Sequence, residues 1–212
     1  MSDIAQGNAT IFIDWDGTLS GSRFWQQWRD STDNALRERY AKLTQVLFVD
    51  NVAMVNDWMR GKLGAEYICD QLAVTLNMPS FEITQALQKS CEQMVIIEGA
   101  LTKIAALRQL GNKVAIATDN MDTFSRWTVP MLNLEKAFDA ILDSSQIGYL
   151  KNERDSHDAS LFFGNIINGR TTVLIDDNPD LKNVRDFGMT LLPVGGKSLN
   201  DWLDYLLRTT NG

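Results

Sequence analysis

Asp14 and Asp16 stand two residues apart at the end of the apolar run Ile11-Phe12-Ile13, with Gly17 and Thr18 directly after them. A second run, Val114-Ala115-Ile116-Ala117, ends in Thr118-Asp119-Asn120. A third, Val173-Leu174-Ile175, ends in Asp176-Asp177-Asn178, with Asp180 just beyond. If these ends meet, they define a chemistry. Carboxylates within ~4 Å of one another repel by ~4 kcal/mol per pair at an effective dielectric near 20, so such a cluster calls for a cation. Oxygen-only ligation favours a hard divalent ion, Mg²⁺ ahead of Ca²⁺ or zinc. A carboxylate beside that ion can act as a nucleophile. A second carboxyl two residues later can protonate a leaving oxygen and then activate water. A lone Asp-Gly pair is ordinarily a turn and nothing more; the other two strand ends give this one its weight.

The elements that must position these groups follow from the apolar pattern. Continuous rather than alternating apolarity predicts strands buried on both faces, as in a parallel sheet covered by helices. Ala140-Ile141-Leu142 and Leu191-Leu192 are weaker strand candidates. Leu101, Ile104, Leu107 and Leu110 recur at helical spacing before Gly111, and Leu181, Val184 and Phe187 do so before Gly188. Strand, helix, glycine, strand is the order of right-handed βαβ units, which predicts an open α/β sheet. Ligands of such sheets bind beyond the carboxyl ends of the strands, where the polar residues above lie.

One interval breaks the pattern. From about Ser20 to Val95 no comparable strand run occurs, whereas Phe24, Trp25 and Trp28, then Val46, Val49 and Ala53, then Ile68, Leu72 and Leu76 keep helical spacing. Asn77 and Pro79 close the last of these helices and Ser80 is placed to cap the next. The interval therefore reads as an all-helical insertion with Trp25, Trp28 and Trp58 as its core. The C-terminal run Trp202, Leu203, Leu206 and Leu207 reads as an amphipathic packing helix.

Composition bounds the alternatives. The chain has 212 residues, 44% hydrophobic and 22% charged, which suits one domain or a core with one large insertion. Lys plus Arg total 20 against 27 Asp plus Glu, a net charge of -7 with no basic stripe, which argues against nucleic-acid partners. No apolar run is long enough for a membrane span. Cys69 and Cys91 form neither a CxxC pair nor a disulfide framework and read as buried thiols. The N-terminus has no secretory pattern, and a cytoplasmic location is expected. His157 is the single histidine, and no GxSxG elbow accompanies it, so a Ser-His-Asp triad and a histidine-rich zinc site are excluded.

These motifs resemble those of the haloacid dehalogenase-like (HAD) hydrolase superfamily. Ile11-Phe12-Ile13-Asp14-Trp15-Asp16-Gly17-Thr18-Leu19 resembles its first signature and Thr118 its second. Lys151, after Phe138-Asp139-Ala140-Ile141 and Gln146-Ile147-Gly148, resembles the third, and Asp176-Asp177 with Asp180 and Gly188 the fourth. The resemblance implies a Rossmann-like open parallel sheet core with helices on both faces over 1–19 and 96–212, and an all-helical cap domain over 20–95. It implies Asp14 as nucleophile and metal ligand, and Asp16 as general acid/base binding the metal through its carbonyl. Thr118 and Lys151 would be catalytic and substrate-binding, Asp119 and Asn120 substrate-binding. Asp176 or Asp177 would complete the Mg²⁺ shell, with Asp180 behind it. Two departures stand out: Lys151 precedes Asn152, Glu153, Arg154 and Asp155 rather than the family's frequent proline, and Trp15 is unusually bulky. Asp119 reads either as the cap of a helix over Met121 to Trp127 or as a contact to a leaving group.

The implied activity is a Mg²⁺-dependent phosphomonoesterase acting on a small phosphorylated metabolite through an aspartyl-phosphate. A phosphotransferase or phosphomutase needs the same core, a 2-haloacid dehalogenase would do without the acid at Asp16, and a non-catalytic binding module would need none of it. The cap positions Arg23, Trp25, Arg60 and Lys62 are candidates to face the cleft, in a monomer or homodimer.

Overall fold

The computed structural model describes residues 7–151, 153, 159–164 and 171–209. The five expected strand runs are all strands: β1 (Ala9–Ile13), β2 (Lys113–Thr118), β3 (Ala140–Asp143), β4 (Thr171–Asp176) and β5 (Thr190–Pro193). They form one parallel sheet in the order β3-β2-β1-β4-β5, a Rossmann-like α/β fold. The continuous apolarity of β1, β2 and β4 has a simple cause. Ile11, Ile13, Val114, Ile116, Val173 and Ile175 point into one hydrophobic cluster, while Phe12, Ala115, Ala117 and Leu174 point into another on the opposite face. Each of these strands is thus apolar on both sides.

Between β1 and β2 the chain makes a helical excursion: a single turn at Gln26–Arg29, α1 (Asn34–Gln45), a π-helical turn at Val46–Asp50, α2 (Val52–Met59), α3 (Ala65–Leu76) and α4 (Ser80–Glu92). Leaving at Leu19, it returns where Ile97 N–H donates to the Leu19 carbonyl at 2.9 Å. Trp25, Trp28 and Trp58 are buried within it as expected. Trp25 adopts φ 51, unusual for so bulky a residue. Its backbone N–H donates to Ser90 Oγ at 3.0 Å and its indole N–H to the Ile83 carbonyl at 3.0 Å, so α4 holds it there.

Two local expectations give way. The Val46, Val49, Ala53 spacing implied one continuous helix, but the π turn and the break at Asn51 shift the phase. Leu47 is buried instead and Val49 is exposed. Ser80 does not cap α4, because Pro79 occupies the cap position and the Ser80 hydroxyl bonds Asp70 of α3.

After the excursion, α5 (Ala100–Gln109) covers the sheet together with the last helix, α6 (Leu199–Arg208), and Lys103 of α5 pairs with Asp204 of α6 at 2.7 Å. Ser198 and Asp201 form a reciprocal capping box at the start of α6. Cys69 and Cys91 are buried free thiols, with burial pushing them up to about 11 and about 12. Among the described residues no helix is long and apolar enough to cross a membrane.

Asp143, at the end of β3, is buried, and burial pushes its carboxyl up to about 6 although Ser125 Oγ and Ser145 N–H donate to it at 2.6 and 2.9 Å. A folded-state pKa above the ordinary 3.8 means that the fold favours protonated Asp143. The associated stability is complete below about pH 4 and is lost as pH rises through about 6. Asp143→Asn stays neutral and keeps a capping oxygen. It is expected to stabilise the protein at pH 8 by at most about 3 kcal/mol, with the difference closing near pH 4, as chemical denaturation at the two pH values would report.

Candidate active site

Strand register brings the predicted residues together. Ile13 pairs with Ile175 of β4, and Asp14 N–H continues the ladder to the Ile175 carbonyl at 2.9 Å, which sets Asp14 beside Asp176. On the other side Thr118 ends β2, paired in register with Asp143. Lys151 comes from the segment after β3 and reaches under both strand ends. Its ammonium donates to Asp14 Oδ1 at 2.8 Å and to Asp176 Oδ2 at 2.6 Å, with all three side chains buried.

Asp14, Asp176 and Asp177 each offer a carboxylate oxygen within 4.8 Å of the others'. Together with Asp16, Asp119, Lys151, Asn178 and Leu181 they line a cavity of about 190 Å³. Gly17 makes this packing possible. Its φ is +72, and a Cβ there would lie 2.2 Å from Asp177 Oδ2.

Electrostatics follow from three carboxylates and one ammonium. Burial pushes the Asp14 carboxyl up to about 7 against the pull of Lys151, and the nearby Asp176 charge adds to the rise. Burial works against the Lys151 charge too, but Asp14, Asp176 and Asp119 outweigh it and hold the ammonium well above its ordinary value. The lysine is therefore a permanent cation. Asp177 is raised by burial and by Asp176. Asp16 is raised by burial, with Arg23, whose guanidinium pairs with it, pulling the other way.

The remaining predicted residues divide. Thr118 Oγ1 is buried with no hydrogen-bond partner among the described residues, and so is Thr18 Oγ1. Asp119 is not a helix cap: its Oδ1 accepts the Lys151 backbone N–H at 2.8 Å, fixing the loop from which the ammonium extends. Asn120 Oδ1 accepts Met121 N–H at 2.9 Å. Asp180 is exposed, and Asn178 takes the position behind the cluster, with its N–H on Asp176 Oδ1 and its own Oδ1 accepting Asp180 N–H, both at 2.9 Å. Trp15 is buried against Phe124, ring centroids 5.1 Å apart. Of the cleft candidates, Arg23 is at the site, Trp25 is in the helical core, and Lys62 is exposed and paired with Asp57. His157, Asn152, Arg154 and Asp155 lie outside the described residues.

Sequence reasoning missed what holds Lys151 without a proline. Glu153 turns inward, Arg60 of the helical excursion grips both its carboxylate oxygens through Nε and Nη2 (Nε to Oε2 3.0 Å), and the Glu153 carbonyl accepts Asn183 Nδ2 at 3.0 Å. Nearby, Ser144 Oγ donates to the Met59 carbonyl at 2.6 Å, and Gly61 (φ +68) sits so close to Ser145 that a Cβ would lie 2.1 Å from its carbonyl oxygen. The excursion is thereby fastened to the core next to Lys151. Arg60→Ala is expected to lower turnover by up to about 10²-fold, the cost of a small misplacement of a reacting group. KM should change less than kcat, and Arg60→Lys should restore only part of the loss because it lacks the two-pronged contact.

No family model and no curated protein matches the chain. Among solved structures it is similar to L-2-haloacid dehalogenase from Xanthobacter autotrophicus, with a TM-score of 0.61 and 20% identity over 97% of this chain and 84% of that one. A HAD family enzyme from Bacteroides thetaiotaomicron, solved as a magnesium complex, gives a TM-score of 0.66 and 14% identity over 95% of this chain and 99% of that one. A predicted HAD-like family hydrolase from Porphyromonas gingivalis gives 0.65 and 16% over 96% and 98%. The chain shares the fold of these HAD enzymes across nearly its whole length.

Proposed function

We propose that this protein is a divalent-metal-dependent phosphomonoesterase working through an aspartyl-phosphate on Asp14. The observation that carries this reading is the buried bridge of Lys151 between Asp14 and Asp176, with Asp177 adjacent. Three oxygen donors this close, carrying more negative charge than one ammonium offsets, suit a hard divalent ion. Asp14, Asp176 and Asp177 would hold Mg²⁺, with the Asp16 carbonyl, and the similar enzyme from Bacteroides thetaiotaomicron was also solved with magnesium and inorganic phosphate. When bound, the ion supplies charge neutralisation between the carboxylates and the phosphoryl oxygens.

The chain's own groups supply the rest. Asp14 attacks phosphorus while Asp16 gives its proton to the departing ester oxygen, so one P–O bond forms as the other breaks. Asp16 then takes a proton from water. The resulting nucleophile attacks phosphorus, the Asp14–phosphorus bond breaks, and inorganic phosphate leaves. Lys151 neutralises charge throughout, and the Thr118 hydroxyl, without a partner among the described residues, donates to a phosphoryl oxygen. Asp16 favours this chemistry over dehalogenation: halide departs without a proton, whereas an alkoxide needs one, and Asp16 places a carboxyl there to supply it. Residues 20–95 act as the cap over this site.

The test is hydrolysis of 4-nitrophenyl phosphate with Mg²⁺ and with EDTA. Turnover with Mg²⁺ that EDTA abolishes is expected. Metal-loaded protein inert toward a broad panel of aryl, alkyl and metabolite phosphates would overturn the reading, and halide release from a 2-haloacid would replace it.

A further inference from the structure

A second cavity, of about 520 Å³, opens directly from the acidic one, since Asp16 and Asp119 line both. Its size is typical of a pocket for a small organic molecule. Its walls are largely apolar and come from the helical excursion and the loop after β2: Phe24, Phe48, Val52, Val55, Met59 and Met121. Phe48 and Val52 are 41% and 50% exposed. That is costly apolar surface for a protein to leave in water, yet it borders a cleft beside reactive groups.

Several of the polar groups on these walls are already committed, and the neutral side chains of Tyr40, Asn56 and Asn120 complete the lining. Arg23 is the one cationic residue lining the cavity among the described residues, and its Nη1 donates to Asp16 and to the Ser22 carbonyl. Ser22 Oγ accepts Val95 N–H at 3.0 Å, and Thr44 Oγ1 donates to the Tyr40 carbonyl at 2.9 Å. The cavity thus offers a second phosphate or a carboxylate no cation that is not already paired with a carboxylate among the described residues.

Resting on the phosphomonoesterase reading, we propose that the leaving group is an uncharged, predominantly apolar alcohol. The ester oxygen lies at Asp16, on the border between the two cavities, and the hydrocarbon body fills the larger one. Substrates with a second anionic group, such as bisphosphates and nucleotides, are disfavoured by the carboxylates at the junction, where the one lining cation among the described residues, Arg23, already pairs with Asp16.

Two experiments test this. The first measures kcat/KM for butyl, hexyl and octyl phosphate against glycerol phosphate and fructose 1,6-bisphosphate. A rise of about fourfold per added methylene is expected, corresponding to its burial, with the polar and doubly charged esters well below octyl phosphate. A flat or falling series, or preference for the bisphosphate, overturns the proposal while leaving the phosphatase reading intact.

The second measures binding of 1-naphthol and octanol by calorimetry to the wild type and to Phe48→Asp, a rim substitution at an exposed position. Binding to the wild type that weakens at least tenfold in the variant supports an apolar subsite even if no phosphate ester turns over. Equal binding to both proteins, or to neither, overturns it.

Discussion

Lys151→Met should lose both activity and stability. Rate falls by about 10²–10³-fold, the range for removing one preorganised charge from a reacting centre. Stability falls by about 3–5 kcal/mol at neutral pH, because Asp14 and Asp176 are left as buried carboxylates without their cation. The two losses separate with pH. Lys151 holds the Asp14 carboxyl down, so in the variant that group protonates more readily. Acidification from pH 8 to pH 5 therefore narrows the stability gap but restores no activity. Urea denaturation at both pH values, beside steady-state kinetics, reads both. A variant as stable as the wild type at pH 8 would mean that the bridge carries no net energy.

Asp14→Asn should separate the same properties in the opposite sense. If Asp14 is the nucleophile proposed above, its loss costs at least about 10⁴-fold in turnover, the scale for removing an attacking group. The metal-free variant should be no less stable than the wild type at pH 8, and more stable if anything. Asp14 has a folded pKa of about 7, above its ordinary 3.8, so stability tied to its protonated form is lost as pH rises through 7; a neutral amide does not lose it. Adding Mg²⁺ should raise the melting temperature of the wild type more than that of the variant, which has lost one of three carboxylates. An inactive but destabilised variant would point to a structural role for Asp14 instead.

The sheet was readable from sequence because burial on both faces leaves a plain signature. Residues 11–13, 114–117 and 173–175 are apolar without interruption since even and odd positions each enter a core. The placing of Asp14, Asp176, Asp177 and Lys151 around one cavity follows from the parallel order, as strand ends on one edge must converge. What escaped the sequence was phase and partnership. The π turn at Val46–Asp50 slips the helical repeat so that Leu47, not Val49, turns inward. Asp119 had the sequence position of a helix cap, but its partner, the Lys151 backbone, lies 32 residues away. Arg60 and Glu153 are 93 apart, and nothing local marks either as the other's anchor. The walls of the larger cavity were invisible for a different reason. Phe24 has the spacing of a core residue, and spacing does not distinguish a side chain that packs on protein from one that faces a void.

The hydrogen bond from Ile97 to Leu19 bears on how such a chain can be inherited. Because departure and return meet at one point, the sheet is indifferent to what lies between them. Loop-closure entropy grows only logarithmically, about 0.6 kcal/mol per doubling of length. The intervening stretch can therefore be lengthened, shortened or exchanged with little strain on β1 and β2. The fastenings at Arg60, Met59 and Gly61 limit that freedom: a transplanted segment must bring its own grip on the Lys151 loop or find the lysine poorly held.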